Sequence, residues 1–294
     1  YRLNISGAYI SDLTGLDAFV NLKFIQCGNN QITSFDASMF PNLKELMCMD
    51  NDLVTLDVTS LQHLELVYCD GNQITSLNVA GLQNMKDIHC HLNPMTTLDL
   101  SNLPALERFS SWNTPFTSLD FQDSPLLKEL WISGTHLTQL DLSNNPQIEF
   151  LGCYDNLLLE TINLHNGASL LNSSESTFTN NPNLEFICVD EGEDAVIADC
   201  TWDTPLPAMS TVCSTMGTGD FIADAVSLYP NPTNGMVTVN APYAVNSVEL
   251  YDMQGRMILV SAESQIDLSG RQAGVYLMRI NTDSGTVLQR LVKE

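Results

Sequence analysis

The sequence predicts a solenoid of stacked parallel β-strands, followed by a small antiparallel β-sandwich. Apolar residues recur with a period of 21 from residue 22 to residue 148, and after residue 226 this period gives way to short apolar runs separated by turn residues. A repeat this short cannot bury its apolar side alone, so successive repeats must stack into one continuous core.

Length, composition and charge are those of a folded, acidic protein. The chain has 294 residues, of which 44% are apolar and 16% charged, as in ordinary globular proteins. Its net charge is −24, and residues 226–294 contribute only −1 of it. Such a surface repels phosphate groups, so we expect no nucleic-acid partner and no anionic membrane. We also predict no membrane span, because no apolar run is long enough.

Each repeat opens with an apolar residue, and the openings are Leu22, Leu43, Leu64, Met85, Leu106, Leu127 and Ile148. Apolar residues alternate through the first six positions of a repeat, which predicts a short strand there. The remaining positions leave little room for a full helix, so we predict turns or short helices on the opposite side. Tyr1 lies inside an earlier copy, so we expect the solenoid to be truncated at its N-terminus.

The pattern resembles the leucine-rich-repeat family, whose consensus is Leu-x-x-Leu-x-Leu/Cys-x-x-Asn. The consensus asparagine stands here as Asn30, Asn51, Asn72, Asn93 and Asn156. Three repeats depart from it, with Ala8, Thr114 and Thr135. The resemblance implies a leucine-rich-repeat solenoid with a parallel sheet on its concave face.

Two further columns of residues recur with the repeat. One holds inward cysteines, which we predict to be free and inert because buried cysteine behaves as a small apolar residue: Cys27, Cys48, Cys69, Cys90 and Cys153. The other holds Asp36, Asp57, Asn78, Asp99, Asp120 and Asp141. Stacked carboxylates can bind calcium, but capping of the turn explains the column equally well. We therefore predict no cofactor, with calcium as the alternative.

The outward strand positions predict a ligand-binding face. Because side chains alternate, residues two, four and six places after each opening point outward on the concave sheet. Aromatic rings and two histidines collect there, and we predict that the site consists of Tyr68, His89, His91, Trp112, Trp131 and Tyr154. Exposed aromatic clusters usually mark a partner surface, here for an extracellular protein or glycan. The alternative is that the rings pack on one another in a scaffold.

The two histidines also raise the question of a metal. His89 and His91 share the outward face with Asp70 and Asp87, a set chemically able to bind zinc or copper. Their spacing matches no established metal-site pattern, so we predict no metal. The sequence carries no nucleophile elbow, Walker loop or zincin helix. We therefore predict no catalytic residues and no enzyme activity.

The period breaks after Ile148. An insertion around residues 170–176 delays the last predicted unit to Leu184. We divide the chain into the solenoid (1–183), the last repeat with its C-terminal cap (184–215), a small polar linker (216–225) and a final domain (226–294). The cap resembles those of secreted repeat proteins of this kind, which implies a disulfide between Cys188 and Cys213.

The final domain carries five short motifs in order, at residues 228–235, 248–256, 266–269, 273–276 and 291–293. Short β-rich runs at 236–240, 247–252, 257–260, 275–281 and 286–292 predict an Ig-like sandwich. The motifs resemble the C-terminal sorting domain of type IX secretion cargo in Bacteroidetes-type bacteria. The residues that carry the resemblance include Tyr229, Pro230, Asn231, Pro232, Gly235, Asp252, Gly255, Arg256, Gly274 and Tyr276.

The sorting resemblance implies export by the type IX secretion machinery to the medium or to the outer-membrane surface of a Gram-negative bacterium. Together with the predicted face, it indicates a secreted or cell-surface protein that binds a ligand or mediates adhesion. Two alternatives stay open: a structural surface scaffold without a specific ligand, and an accessory module of a larger secreted enzyme.

Overall fold

The computed structural model describes residues 1–168, 170–211, 213, 227–241, 244–252, 256–282 and 285–294, with only the backbone at 252 and 285–288. The chain forms two compact units, Tyr1–Thr211 and Val212–Glu294.

The first unit is built on one parallel sheet of eight strands, one from each successive turn of the solenoid. Neighbouring strands pair in register one repeat apart, as in Ile25 with Leu46 and Leu46 with Val67. This confirms the predicted solenoid. The strands of this main sheet are Arg2–Asn4, Phe24–Gln26, Glu45–Met47, Leu66–Tyr68, Asp87–His89, Arg108–Trp112, Glu129–Ser133 and Phe150–Tyr154.

Several repeats also contain a short strand or a helical turn outside the main sheet. A two-stranded sheet contains Thr55–Asp57 and Ser76–Asn78, and a four-stranded sheet contains Gln139–Asp141, Thr161–Asn163, Phe186–Cys188 and Ala208–Ser210. A 3-10 turn spans Ala37–Met39 and a short α-helix spans Asp194–Ala198. The structure thus adds strands to the turns and short helices that the repeat length predicts. Alternation explains them, because Leu56 is buried between exposed Thr55 and Asp57.

Buried asparagines join the turns of the solenoid. The Nδ2 of Asn72 donates to the carbonyl of Cys48 in the preceding repeat at 3.0 Å, and its Oδ1 accepts from the Leu53 amide at 3.0 Å. Thr114, which departs from the asparagine consensus, keeps part of this pattern by donating to the Cys90 carbonyl at 3.0 Å. Equivalent bonds link backbone groups at Asn30, Asn51 and Asn93.

The last turn of the main stack begins earlier than the predicted unit at Leu184. Thr177 forms a β-bridge with Gly152 on the last main strand. Asn181 takes the asparagine position, because its Nδ2 donates to the Cys153 carbonyl at 2.8 Å. The insertion therefore lengthens one repeat to 25 residues rather than interrupting the stack.

The strand that follows this turn belongs to the four-stranded sheet. Phe186–Cys188 pairs with Thr161–Asn163, so Val189, which follows this strand, does not continue the inward cysteine column. Phe178 is buried next to Thr177 instead and stacks on Trp202 with ring centroids 4.7 Å apart. A large ring pair covers more of the exposed core end than a valine could.

The second unit is a sandwich of two antiparallel sheets. The three-stranded sheet contains Ser227–Tyr229, Met236–Asn240 and Gln265–Asp267, and the four-stranded sheet contains Met257–Ser261, Val245–Asp252, Gly274–Thr282 and Gly285–Lys293. Both sheets contribute to one buried core, which includes Val237, Leu250 and Ile280. All five predicted strands are confirmed. The first and fifth strands of this unit, Ser227–Tyr229 and Gln265–Asp267, were not predicted, because a strand of three residues shows little alternation of apolar and polar side chains.

Candidate ligand-binding face

The outward side of the main sheet, called the strand face below, carries three rows of side chains. Strand pairing places residues of successive repeats side by side within each row. The middle row contains Tyr68, His89, Ser110, Trp131 and Gly152. The strands bring all six predicted ligand residues onto or beside this face, but they do not form one continuous band of stacked rings.

The aromatic side chains form two separate stacks. Tyr68 stacks on His89 with centroids 4.0 Å apart, and Trp131 packs on Phe150, also with centroids 4.0 Å apart. Buried Ser110 lies between the two stacks in the middle row. A side chain at Gly152 would collide with Trp131, because a Cβ there would lie 2.7 Å from its Cε3. The missing side chain therefore lets the indole lie over the next strand.

Two tryptophans and a tyrosine stay open to solvent on this face. The Trp112 and Trp131 side chains are 42% and 40% exposed, and Tyr154 is half-buried. Trp112 and Tyr154 both lie next to Ser133 on neighbouring strands. The last row thus offers two partly exposed rings separated by a small residue.

A carboxylate organises the first stack. Asp87 Oδ2 accepts from Tyr68 Oη at 2.9 Å and from Arg108 Nε at 2.8 Å, and its Oδ1 lies 3.2 Å from His89 Nε2. Burial works against ionisation of Asp87, but the contacts with His89, Arg108 and Tyr68 hold its pKa below the usual value. Burial and the hydrogen bond to Asp87 raise the pKa of Tyr68 to about 12.

The second histidine lies beside another carboxylate. His91 Nε2 is 3.8 Å from Asp70 Oδ1 and 3.1 Å from Ser110 Oγ. Asp70 Oδ1 also accepts from the His91 amide at 2.8 Å. Burial raises the pKa of Asp70 and lowers the pKa of His91. The four side chains Asp70, Asp87, His89 and His91, which the sequence placed on one face, are therefore close in space.

A groove of about 600 Å³ opens beside the second stack. Its lining joins two rings to three exposed carboxylates, and the lining residues are Glu129, Trp131, Glu149, Phe150, Leu170, Asn172 and Glu175. The sequence prediction missed Phe150 as a site residue, although its outward position was visible. It also missed Glu175, because the insertion that carries this residue lies outside the period.

The aspartate column caps turns. Asp36 Oδ1 accepts from the amide and hydroxyl of Ser38, at 2.9 and 2.6 Å. Asp57 makes the same two bonds with Thr59, and these hydrogen bonds lower the pKa of both aspartates. Amide bonds of the same kind occur at Asp99, Asp120 and Asp141. Turn capping is therefore observed at these five aspartates.

The inward cysteine column is buried. Cys27, Cys48, Cys69, Cys90 and Cys153 are free thiols, as is Cys200. Burial raises the pKa of Cys27 and of Cys153 to about 12, so these thiols stay protonated and act as packing groups. Cys188 and Cys213 are both disulfide-bonded.

The motif residues of the second unit tie its first loop to its last strand. Asn231 Nδ2 donates to the Arg290 carbonyl at 2.7 Å, and Asn231 Oδ1 accepts from the Val292 amide at 2.9 Å. Tyr276 Oη donates to the Gln272 carbonyl at 2.8 Å. Gly255 lies outside the described residues. The motif residues Asn231 and Tyr276 therefore stabilise the sandwich through hydrogen bonds.

Residues 227–294 match the family model described as the secretion system C-terminal sorting domain. This segment is a type IX sorting domain. A sorting domain directs export, so the chain is an exported protein that reaches the cell surface or the medium. No curated protein matches the chain in sequence. In the described residues no helix is long and apolar enough to span a membrane.

Solved structures are similar to this chain in fold. TLR13 in its complex with ssRNA13 is 16% identical with a TM-score of 0.50, over 61% of this chain and 30% of that one. The functional domain of InlJ from Listeria monocytogenes, which includes a cysteine ladder, is 17% identical with a TM-score of 0.48. The match covers 99% of this chain and 68% of the InlJ chain. Internalin C2 from Listeria monocytogenes is 20% identical with a TM-score of 0.48, and the match covers 64% of this chain and 80% of the internalin chain. These likenesses concern the fold alone.

Proposed function

We propose that this chain is an exported adhesion protein whose strand face binds an extracellular protein. The observation that carries the proposal is the exposure of Trp112 and Trp131, at 42% and 40%, on neighbouring strands of an otherwise well-packed sheet. Tryptophan is prominent among residues that dominate binding energy at protein interfaces. Exposed ring clusters on a rigid sheet also bind with little loss of conformational entropy.

Charge supports a partner with a basic surface. Three glutamates, Glu129, Glu149 and Glu175, surround the groove that Trp131 and Phe150 line. A lysine or arginine side chain would meet ring faces and carboxylates there, a combination that attracts cations. The same acidity opposes an RNA ligand like the one bound in the TLR13 complex.

The sorting domain supports the proposed location. We expect the type IX machinery to carry the chain across the outer membrane of a Gram-negative bacterium, after which it is released or stays on the surface. Cell fractionation of the full chain and of a variant without residues 227–294 tests this location. The full chain should reach the surface or the medium, and the truncated variant should stay inside the cell envelope. Surface exposure of the truncated protein would contradict it.

A binding screen with the full chain tests the ligand class. Immobilised protein is exposed to extracellular-matrix proteins, neutral polysaccharides and an oligolysine peptide, each over a concentration range. We expect saturable binding of a basic matrix protein and competition by oligolysine. The matched variants Glu149→Gln and Glu175→Gln should weaken both, whereas Glu263→Gln on the sorting domain should weaken neither. Saturable binding of a polysaccharide alone would replace the protein ligand with a glycan.

A scaffold is the second candidate function. Its supporting observation is that Trp131 packs on Phe150 and Tyr68 on His89, so both stacks already satisfy ring contacts within the chain. No response to any probe in the screen, together with a loss of stability in ring variants, would favour this function over ligand binding.

A further inference from the structure

We infer that Asp70, His89 and His91 form a binding site for a divalent transition metal of the zinc or copper class. One ligand atom from each residue lies within 4.8 Å of the other two. The sequence offered no fixed spacing for such a site, since Asp70 lies one repeat away from the histidines. Strand pairing in the main sheet brings them together.

The ligand chemistry fits this class of metal. Two imidazoles and one carboxylate are ligands that zinc and copper accept, and a three-residue set leaves a further position open. In a tetrahedral zinc site, ligand atoms about 2.0–2.1 Å from the metal lie roughly 3.4 Å from one another. His91 Nε2 and Asp70 Oδ1, now 3.8 Å apart, need to approach only slightly.

One of the ligand side chains carries an unsatisfied polar atom. His91 Nδ1 is buried and lacks a hydrogen-bond partner among the described residues. Buried polar atoms without partners cost free energy and usually have a functional or structural explanation. A bound cation would compensate the two aspartates, of which only Asp87 has a guanidinium partner, Arg108.

The site is accessible without unfolding. The side chains of Asp70, His89 and His91 are 23%, 30% and 23% exposed. Each lies on or just beyond a strand, so the solenoid limits their movement. A metal here would also be on the strand face, although the inference does not depend on the proposed protein ligand.

Metal titration of the full chain tests the site. The protein is stripped with a chelator, and ZnCl₂ and CuCl₂ are titrated by calorimetry. We expect one tight site per chain, and a rise in the melting temperature of the first unit with metal, because a ligand that binds only the folded state stabilises it. Cobalt(II) should give the visible absorption of a low-symmetry site.

Two variants and one control make the test specific. Asp70→Asn keeps an oxygen that can accept from the His91 amide but removes the charge, and His91→Ala removes a ligand. Each should lower the affinity at least about tenfold, since even the loss of an outer-shell partner costs about 10 to 100-fold. His136→Ala, at an exposed histidine off this face, should change nothing. Equal affinity in all four proteins, or no tight site in the native chain, would overturn the inference.

Discussion

Arg108 and Asp87 lie side by side on neighbouring strands, and the guanidinium donates through Nε to a carboxylate that is 2% exposed. The same carboxylate accepts from Tyr68. We expect Asp87→Ala to lower the free energy of unfolding by about 2–4 kcal/mol, because two donors lose their acceptor. Denaturation followed by tryptophan fluorescence measures this for the first unit, which contains all three tryptophans. Exposed Asp17→Ala should change it by less than about 0.5 kcal/mol.

The asparagine ladder should carry much of the stability of the stack. Asn72 is buried and bonds backbone groups of the preceding repeat, at Cys48 and Leu53, and of its own repeat, at Cys69. Asn72→Ala should cost about 2–4 kcal/mol by urea denaturation, since it leaves buried backbone groups unpaired. The control Asn84→Ala removes one exposed bond to the Gln62 carbonyl and should cost much less. Equal costs for the two variants would argue against the ladder.

Gly152 should be needed for the position of Trp131. A Cβ at residue 152 would lie 2.7 Å from Trp131 Cε3 and 3.2 Å from Phe150 Cε1. We expect Gly152→Ala to shift the tryptophan emission maximum and to weaken ligand binding while circular dichroism stays unchanged. Gly270→Ala, where a Cβ meets no atom within 4 Å, is the control. An unchanged spectrum in Gly152→Ala would mean that the indole does not rest there.

The six free thiols should be unreactive in the folded protein. Burial raises the pKa of Cys27 and Cys153 to about 12 and that of Cys200 to about 11, so little thiolate forms at pH 8. Ellman's reagent should give almost no colour with the native chain and six equivalents in guanidinium chloride. Rapid reaction of even one thiol before unfolding would refute this prediction.

Stability of the first unit should depend on the protonation of Glu193. Its side chain is buried, and burial raises its pKa from 4.5 to about 6. The folded state therefore binds the proton more tightly, and this contribution is full below pH 4.5 and lost as pH rises through about 6. The loss should approach about 2 kcal/mol. Glu193→Gln should remove this pH dependence, so the difference in free energy of unfolding between the variant and the native chain should grow as the pH rises through about 6. A difference that stays constant with pH would contradict the role of Glu193.

Much of the strand face could be predicted from sequence, because a period of 21 places Tyr68, His89 and Trp131 in one row before any coordinates are known. The two stacks could not, since they depend on rotamers and on the open space at Gly152. The groove lined by Trp131 and Phe150 could not be predicted from the sequence for a different reason. Glu175 reaches it from an insertion, where the period gives no guide to position.

The end of the solenoid was harder to predict than its middle. Leu184 has the apolar spacing of a repeat opening, yet Asn181 makes the buried hydrogen bonds that define the ladder position. Apolar spacing alone could not separate the two sheets at this end, because Leu184 and Ile187 have the same three-residue spacing as Leu22 and Ile25 in a main-sheet repeat. Hydrogen bonding by a single asparagine fixes the true register.

Binding by the double variant Trp112→Ala/Trp131→Ala shows whether the strand face is the binding site. The affinity of the full chain for the tightest-binding matrix protein of the screen is compared between native and variant, with exposed Leu126→Ala as the control. We expect at least about a 30-fold loss of affinity in the double variant, equivalent to roughly 2 kcal/mol, with the fold intact and the control unchanged. Native affinity in a folded double variant would contradict the claim that the strand face is the binding site.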